Sequence, residues 1–383
     1  MATNMDGGPK RIRSRRQAKR ARAALVWGGV LFVALNGAAN RWLPERIKPW
    51  SDPAYHVRRE LLVRRLGEQA DSQTRIAATF GSSRFMGGID GRSLERELNE
   101  QTNDPWFVIN FASAGGGPID SLVRLHRLLR QGPQPSLVLF EVLPNQLNAA
   151  SVCSPPVSQE SEFDGDDLEF LHRVGITVSA AQRRRPLDSP GVLWQSCVLW
   201  QFRRDVLRMT YPRLLHGGDA ASMMRACDQY GTIPLSAEAT LPQRQAALAV
   251  AKNTYVDGAS RFQLGGDGLK AMEEAARLCR ARDLSFVFVI MPEGPTFRSW
   301  YRAGVQDELR DAVAAIADRW NGRVVDRWDA LPEESFVDSH HLLATAAGPF
   351  SSDLARRSLT ALDLPLETPR VSARDVRTER RQN

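Results

Sequence analysis

A chain of 383 residues, 43% hydrophobic and 25% charged, can bury a sizeable core and still keep a solvated surface. That excludes disorder as the main state, and four cysteines in this length exclude a disulfide-built miniprotein. The net charge of +7 is local. Lys10, Arg11, Arg13, Arg15, Arg16, Lys19, Arg20 and Arg22 face Asp6 alone in residues 1–22, and removing them from 51 and 44 leaves 43 basic and 43 acidic residues. The basicity therefore belongs to a tail and not to the folded body.

The tail leads into 18 uncharged residues, 23–40, between Arg22 and Arg41. As a helix they span about 27 Å, the thickness of a hydrocarbon core. Trp27 and Trp42 lie near the two ends, where indole rings favour the membrane interface. Excess positive charge before the stretch predicts a single-pass anchor, N-in, with the body outside the cytoplasm. No other stretch is apolar enough to span, which excludes a polytopic protein. Two alternatives stand beside the anchor. One is a signal peptide cleaved at Gly37-Ala38-Ala39, and the other is a buried helix of the body. Nucleic-acid binding by the tail is disfavoured, because aromatic residues are not interleaved with its arginines.

With the body outside, Cys153, Cys197, Cys227 and Cys279 can form disulfides in any of three pairings, or remain buried thiols. None has CxxC spacing, and His56, His126, His172 and His216 are scattered, so no metal site is expected.

Residues 41–70 read as an Arg-rich helical connector. An α/β rhythm follows over 71–147. Strands are expected at 75–80, 106–111 and 137–142, with helices at 89–101 and 118–131. These near-continuous apolar strands indicate a parallel sheet covered on both faces. Residues 148–260 break the rhythm and read as a mainly helical insertion, with helices near 166–184, 192–209 and 241–253. From 261 to 363 the rhythm resumes. Helix 267–282, strand 285–291, helix 300–320, strand 323–326 and helix 345–361 are expected there. Residues 364–383 read as a disordered tail.

Ligands of open α/β sheets sit beyond the carboxyl ends of the strands. The segments expected there are Gly81-Ser82-Ser83-Arg84, Asn110 to Gly117, Pro144-Asn145, Pro292-Glu293-Gly294 with Arg298 and Tyr301, and Asp338-Ser339-His340-His341. Acyl chemistry needs such a set. A serine hydroxyl requires a base, imidazole suits that task, a carboxylate orients the imidazole, and N–H groups stabilise the oxyanion. Asp338 and His341, three apart on a turn, can face the same rim as Ser83.

At these residues the chain resembles the SGNH (GDSL-like) hydrolase superfamily, over 75–147 and 265–360. Gly81-Ser82-Ser83 resembles its first block, with Ser83 matching the nucleophile. Asn110-x-Ala112-x-x-Gly115 resembles the second block, and Asp338-x-x-His341-Leu342-Leu343 the last. Ser82 stands where the block has Asp, and Leu143-Pro144-Asn145 stands where it has GxND. The resemblance implies a flavodoxin-like three-layer α/β/α sandwich with a parallel sheet. It implies Ser83, Asp338 and His341 as catalytic residues, and the N–H groups of Ser83 and Gly115 with the Asn145 amide as the oxyanion hole. No metal or cofactor is implied.

The single anchor resembles a subset of that superfamily similar to the D-alanyl-lipoteichoic-acid transfer protein and alginate-type O-acetylation proteins. That subset implies a periplasmic esterase or O-acyltransferase acting on an acylated glycan or acyl-donor substrate, beside a membrane-bound O-acyltransferase. A non-catalytic scaffold of a polymer-export complex is the alternative. Arg84, Glu293, Arg298, Tyr301 and His340 are candidate substrate contacts. Against these readings stand simpler ones. Ser83 or Asp338 can be a helix cap, Gly115 to Gly117 a plain turn or a phosphate cradle, and Arg84 or His340 a surface residue.

Overall fold

The computed structural model describes residues 10–69, 74–102, 104–149, 163, 165–178, 226–235 and 237–363. They fall into two units, helix α1 (Lys10–Ser51) and a body starting at Asp52. Within α1 the stretch Gln17–Ala39 is long and apolar enough to cross a membrane. Its large side chains are exposed, Leu25 at 76% and Trp27 at 71%.

The body opens with α2 (Pro53–Gln69), whose proline takes the first helical position, where its missing N–H costs nothing. Next come β1 (Arg75–Phe80), α3 (Ser83–Gly88), α4 (Gly91–Thr102), β2 (Trp106–Asn110), α5 (Pro118–Gln131), β3 (Leu137–Val142) and α6 (Gly165–Arg173). After these follow α7 (Leu241–Ser260), α8 (Gly266–Ala281), β4 (Ser285–Ile290), α9 (Pro295–Arg298), α10 (Val305–Arg319), β5 (Arg323–Asp326) and α11 (Ala344–Ala361).

The five strands are parallel and ordered β2-β1-β3-β4-β5, the doubly wound order of flavodoxin type. Both faces are apolar because successive residues alternate. Phe80, Phe140 and Phe288 point into one core, closed by α5, α8 and α10, while Ala77, Leu139 and Val287 point into another, closed by α4 and α11. Each buried Phe, Leu or Val among them contributes about 2 kcal/mol, and Ala77 less. From β1 the chain moves outward to β2, then crosses back to β3 on the other side. The carboxyl ends of β1 and β3 therefore flank the crevice where this topology places ligands.

Strands β1, β3 and β5 and helix α5 begin and end where the sequence places them. Elsewhere local turn chemistry moves a boundary. The helix expected at 89–101 is preceded by the one-turn α3, too short for periodicity to mark. Helix α10 starts at Val305, not 300, because Gly304 caps it at φ 82°. Helix α6 ends at Arg173, ahead of Gly175 at φ 72°. Helix α1 runs through Pro44 to Ser51. Cys227 and Cys279 are free. Cys153, Cys197, His216, the helix at 192–209 and the tails at 1–9 and 364–383 lie outside the described residues.

Candidate active site

Strand β1 ends at Phe80, and two residues turn the chain into α3. A Cβ at Gly81 would collide with the Glu141 carboxylate of β3, so glycine is required there. The same carboxylate holds the turn. It accepts the Ser82 N–H (2.6 Å) and the Ser82 hydroxyl (3.1 Å). Ser82 in turn accepts the Arg84 N–H (3.2 Å) and so serves as N-cap of α3. This cap role, one reading of Ser83, falls to its neighbour. Ser83 is the first helical residue and is half-buried.

The partner loop lies between β5 and α11. A bridge from Phe336 to Leu342 pinches it. Asp338 Oδ1 accepts the N–H groups of His340 (3.2 Å) and His341 (2.8 Å), so Asp338 caps its own turn and not α11. Its Oδ2 accepts from His341 Nδ1 at 2.7 Å, and Ser83 Oγ donates to His341 Nε2 at 2.8 Å across 258 residues of chain. The carboxylate fixes the Nδ1–H tautomer and leaves Nε2 free to take the serine proton. Burial alone would raise the Asp338 pKa, but the hydrogen bond from His341 and the charges of His340 and His341 hold it below the usual carboxylate range.

Two further loops meet at this rim. The turn Ser113–Gly116 closes through Gly116 N–H to Ser113 O (2.9 Å), with Gly115 exposed at φ 63°. The Ser113 N–H donates to Gly81 O (3.1 Å). A Cβ at Gly116 would lie 2.8 Å from that same Gly81 oxygen. Asn110 ties β2 to α3, accepting from Thr79 Oγ1 (2.9 Å) and donating to Phe85 O (3.0 Å). After β3, Gln146 donates to Gly116 O (2.8 Å). Beside it both polar atoms of the Asn145 amide are buried without a hydrogen-bond partner, so an unsatisfied donor sits among these loops.

The candidate substrate contacts are placed differently from expectation. Arg84 and Glu293 are buried in each other. Their ion pair measures 3.0 Å, both side chains are 1% exposed, and Arg84 also donates to Pro292 O (2.9 Å). Arg84 is thus neither a surface charge nor open to substrate, because its guanidinium is held out of solvent by Glu293 and Pro292. Burial raises the Glu293 pKa against the opposing pull of Arg84. Tyr301 reaches Glu293 with its hydroxyl (3.3 Å) and packs edge-on against Trp328. His340 is buried, not at the surface. It packs on Phe297 and Tyr255, and burial, then the charge of His341, pushes its pKa down to about 3. Of the candidate contacts, Arg298 and Tyr301 remain half-exposed, while Arg84, Glu293 and His340 are buried.

Two residues of the site have no role in the sequence reading. Glu141 is the one acid in the apolar run LVLFEV, and a charge inside a buried parallel strand is itself a signal. Tyr255 comes from α7, in the insertion, where no pattern marks it. The Asp338, His340 and His341 ligand atoms lie within 4.8 Å of one another, a set that could hold a metal ion. Their bonds to each other and to Ser83 suit proton transfer better.

A family described as a protein of unknown function (DUF1574) matches residues 44–175. The match includes Ser83, Gly115 and Asn145 and ends before Asp338 and His341. No curated protein matches the chain.

Proposed function

We propose that the chain is a membrane-anchored, extracytoplasmic serine esterase or O-acyltransferase of SGNH type, acting on esters of an exported or cell-surface polysaccharide. The observation carrying this reading is the Ser83–His341–Asp338 relay, with bonds of 2.8 and 2.7 Å, at the switch point of a parallel sheet. His341 Nε2 takes the Ser83 proton as Oγ attacks the acyl carbonyl. The oxyanion is met by the N–H groups of Ser83 and Gly115 and by the Asn145 amide, whose unsatisfied state suits it to a transient partner. His341 then protonates the departing alkoxide, leaving an acyl-Ser83. Water or a glycan hydroxyl, deprotonated by His341, releases the acyl group. No step calls for a metal or organic cofactor. The span in α1 supports tethering, with the basic tail inside, and a membrane-bound O-acyltransferase is the proposed source of acyl groups.

A non-catalytic scaffold is favoured by one observation, the replacement of GxND by Leu143-Pro144-Asn145. A fluorophosphonate probe separates the two readings. Labelling of the full-length protein in detergent, lost in Ser83→Ala and in His341→Ala, is the outcome expected of the enzyme. A folded wild type that stays unlabelled leaves the scaffold. Product analysis with an acetyl donor, with and without oligosaccharides, then distinguishes hydrolysis from transfer.

A further inference from the structure

A concave site lies at the amino-terminal end of the sheet, the end away from Ser83. Helices α5, α6 and α8 end there around a cavity of about 360 Å³, within the size range of small-ligand sites. Its apolar lining is Leu129, Phe170, Val174 and Leu278, and its basic lining is Arg130, Arg173, Arg277 and Arg282. Between these sets sits His126, stacked parallel on Phe170 with ring centroids 3.8 Å apart.

Charge at this cavity is only partly answered. Arg130 pairs with Asp166 (3.3 Å) in solvent, and Arg277 pairs with the largely buried Glu274 (2.6 Å). The guanidinium groups of Arg173 and Arg282 have no hydrogen bond or ion pair among the described residues. His126 Nδ1 is buried without a hydrogen-bond partner, and burial, then the surrounding arginines, pushes its pKa down to about 4. The negative ends of helices α5 and α6 account for a basic residue in the last turn of each. They do not account for four guanidinium groups and an unsatisfied imidazole facing one cavity.

We infer that this cavity binds a phosphomonoester carrying an apolar arm, with the phosphate on Arg173 and Arg282 and the arm over Phe170, Val174 and Leu278. Two forked guanidinium groups match phosphate oxygens in a way an ammonium does not. The volume exceeds what a bare phosphate fills, and the apolar lining gives the remainder its chemistry. An anion there also supplies the compensating charge that Arg173 and Arg282 lack among the described residues.

Isothermal titration of the full-length protein in a non-ionic detergent tests the site with hexyl phosphate, inorganic phosphate and hexanol. Hexyl phosphate is expected to bind roughly tenfold or more tightly than either fragment. Exchanging Arg173→Gln together with Arg282→Gln weakens it by roughly tenfold or more while the melting profile is kept. Equal affinity in wild type and folded double variant overturns the proposal. Should the double variant not fold, the His126 imidazole resonances of the wild type decide. They shift with hexyl phosphate and not with hexanol if the site is real, and an unmoved His126 overturns it. Dihexanoyl phosphatidic acid and phenyl phosphate, each tested as a competitor, distinguish a lipid source from a soluble one. Displacement by either supports the site, and displacement by neither overturns it.

Discussion

Ser83 and His341 are ordinary residues made useful by what holds them. Glu141 grips the turn before Ser83 through two hydrogen bonds to Ser82, and Asp338 grips the imbedded imidazole through one side-chain and one backbone bond to His341. Asp338→Asn tests the second grip. An amide at 338 presents a donor or a weaker acceptor to Nδ1 and favours the wrong tautomer. Ester turnover is expected to fall roughly a thousand- to ten-thousandfold in kcat, with KM little changed. A p-nitrophenyl acetate assay reads both constants, and a kcat near that of the wild type contradicts the assigned relay.

Turns, more than helices or strands, align the site. The Ser113–Gly116 turn is held to β1 by Ser113 N–H on Gly81 O and to β3 by Gln146 on Gly116 O. Gly116→Ala inserts a methyl group 2.7 Å from Ser113 Oγ and 2.8 Å from Gly81 O. Backbone cannot give way there as a flexible side chain would, so the turn must shift and carry Gly115 N–H with it. The expected outcome is an intact far-ultraviolet spectrum with kcat lowered by roughly a hundredfold, the scale of losing one oxyanion donor. Unchanged kcat in that variant removes Gly115 from the oxyanion hole.

Across the whole molecule, Asp52, His126 and His340 make the body acid-sensitive, against the opposite contribution of Glu293, whose raised pKa favours the fold as it takes up its proton. Asp52 is buried, which alone would raise its pKa, yet Arg124 and Arg127 outweigh this and hold it at about 2 against an ordinary 3.8. Its folded pKa is depressed, so its contribution is present above 3.8 and lost as pH falls through 2. His126 at about 4 and His340 at about 3 stay neutral in the fold, whereas the unfolded chain takes up these protons below 6.5. Stability is lost from that pH downward, with the same sign. The melting temperature of the full-length protein is expected to fall steadily between pH 7 and pH 3, and a flat profile contradicts these assignments. Anchoring makes a separate prediction. Cell fractionation should place the full chain with membranes and a chain lacking residues 1–40 in the soluble fraction. A truncated chain that still pellets with membranes contradicts α1 as the sole tether.

The sheet was readable in advance because β1 and β3 carry near-continuous apolar runs that end at glycine or proline, while β5 offers only Val324-Val325 after Gly322. Ser83 in Gly81-Ser82-Ser83 and the pair Asp338-x-x-His341 were readable as candidates because each motif is local, whereas the meeting of Ser83 with His341 across 258 residues came from the fold. Burial is different, since it depends on neighbours brought from far along the chain. Arg84 meets Glu293 across 209 residues, and Ser82 meets Glu141 across 59. No local pattern encodes such pairs. The amino-acid order alone was enough for the candidate membrane span, the strand pattern and the polar residues that gather at the rim. Packing decided which charged residues serve as internal struts, because only the closed fold removes them from water and obliges them to pair.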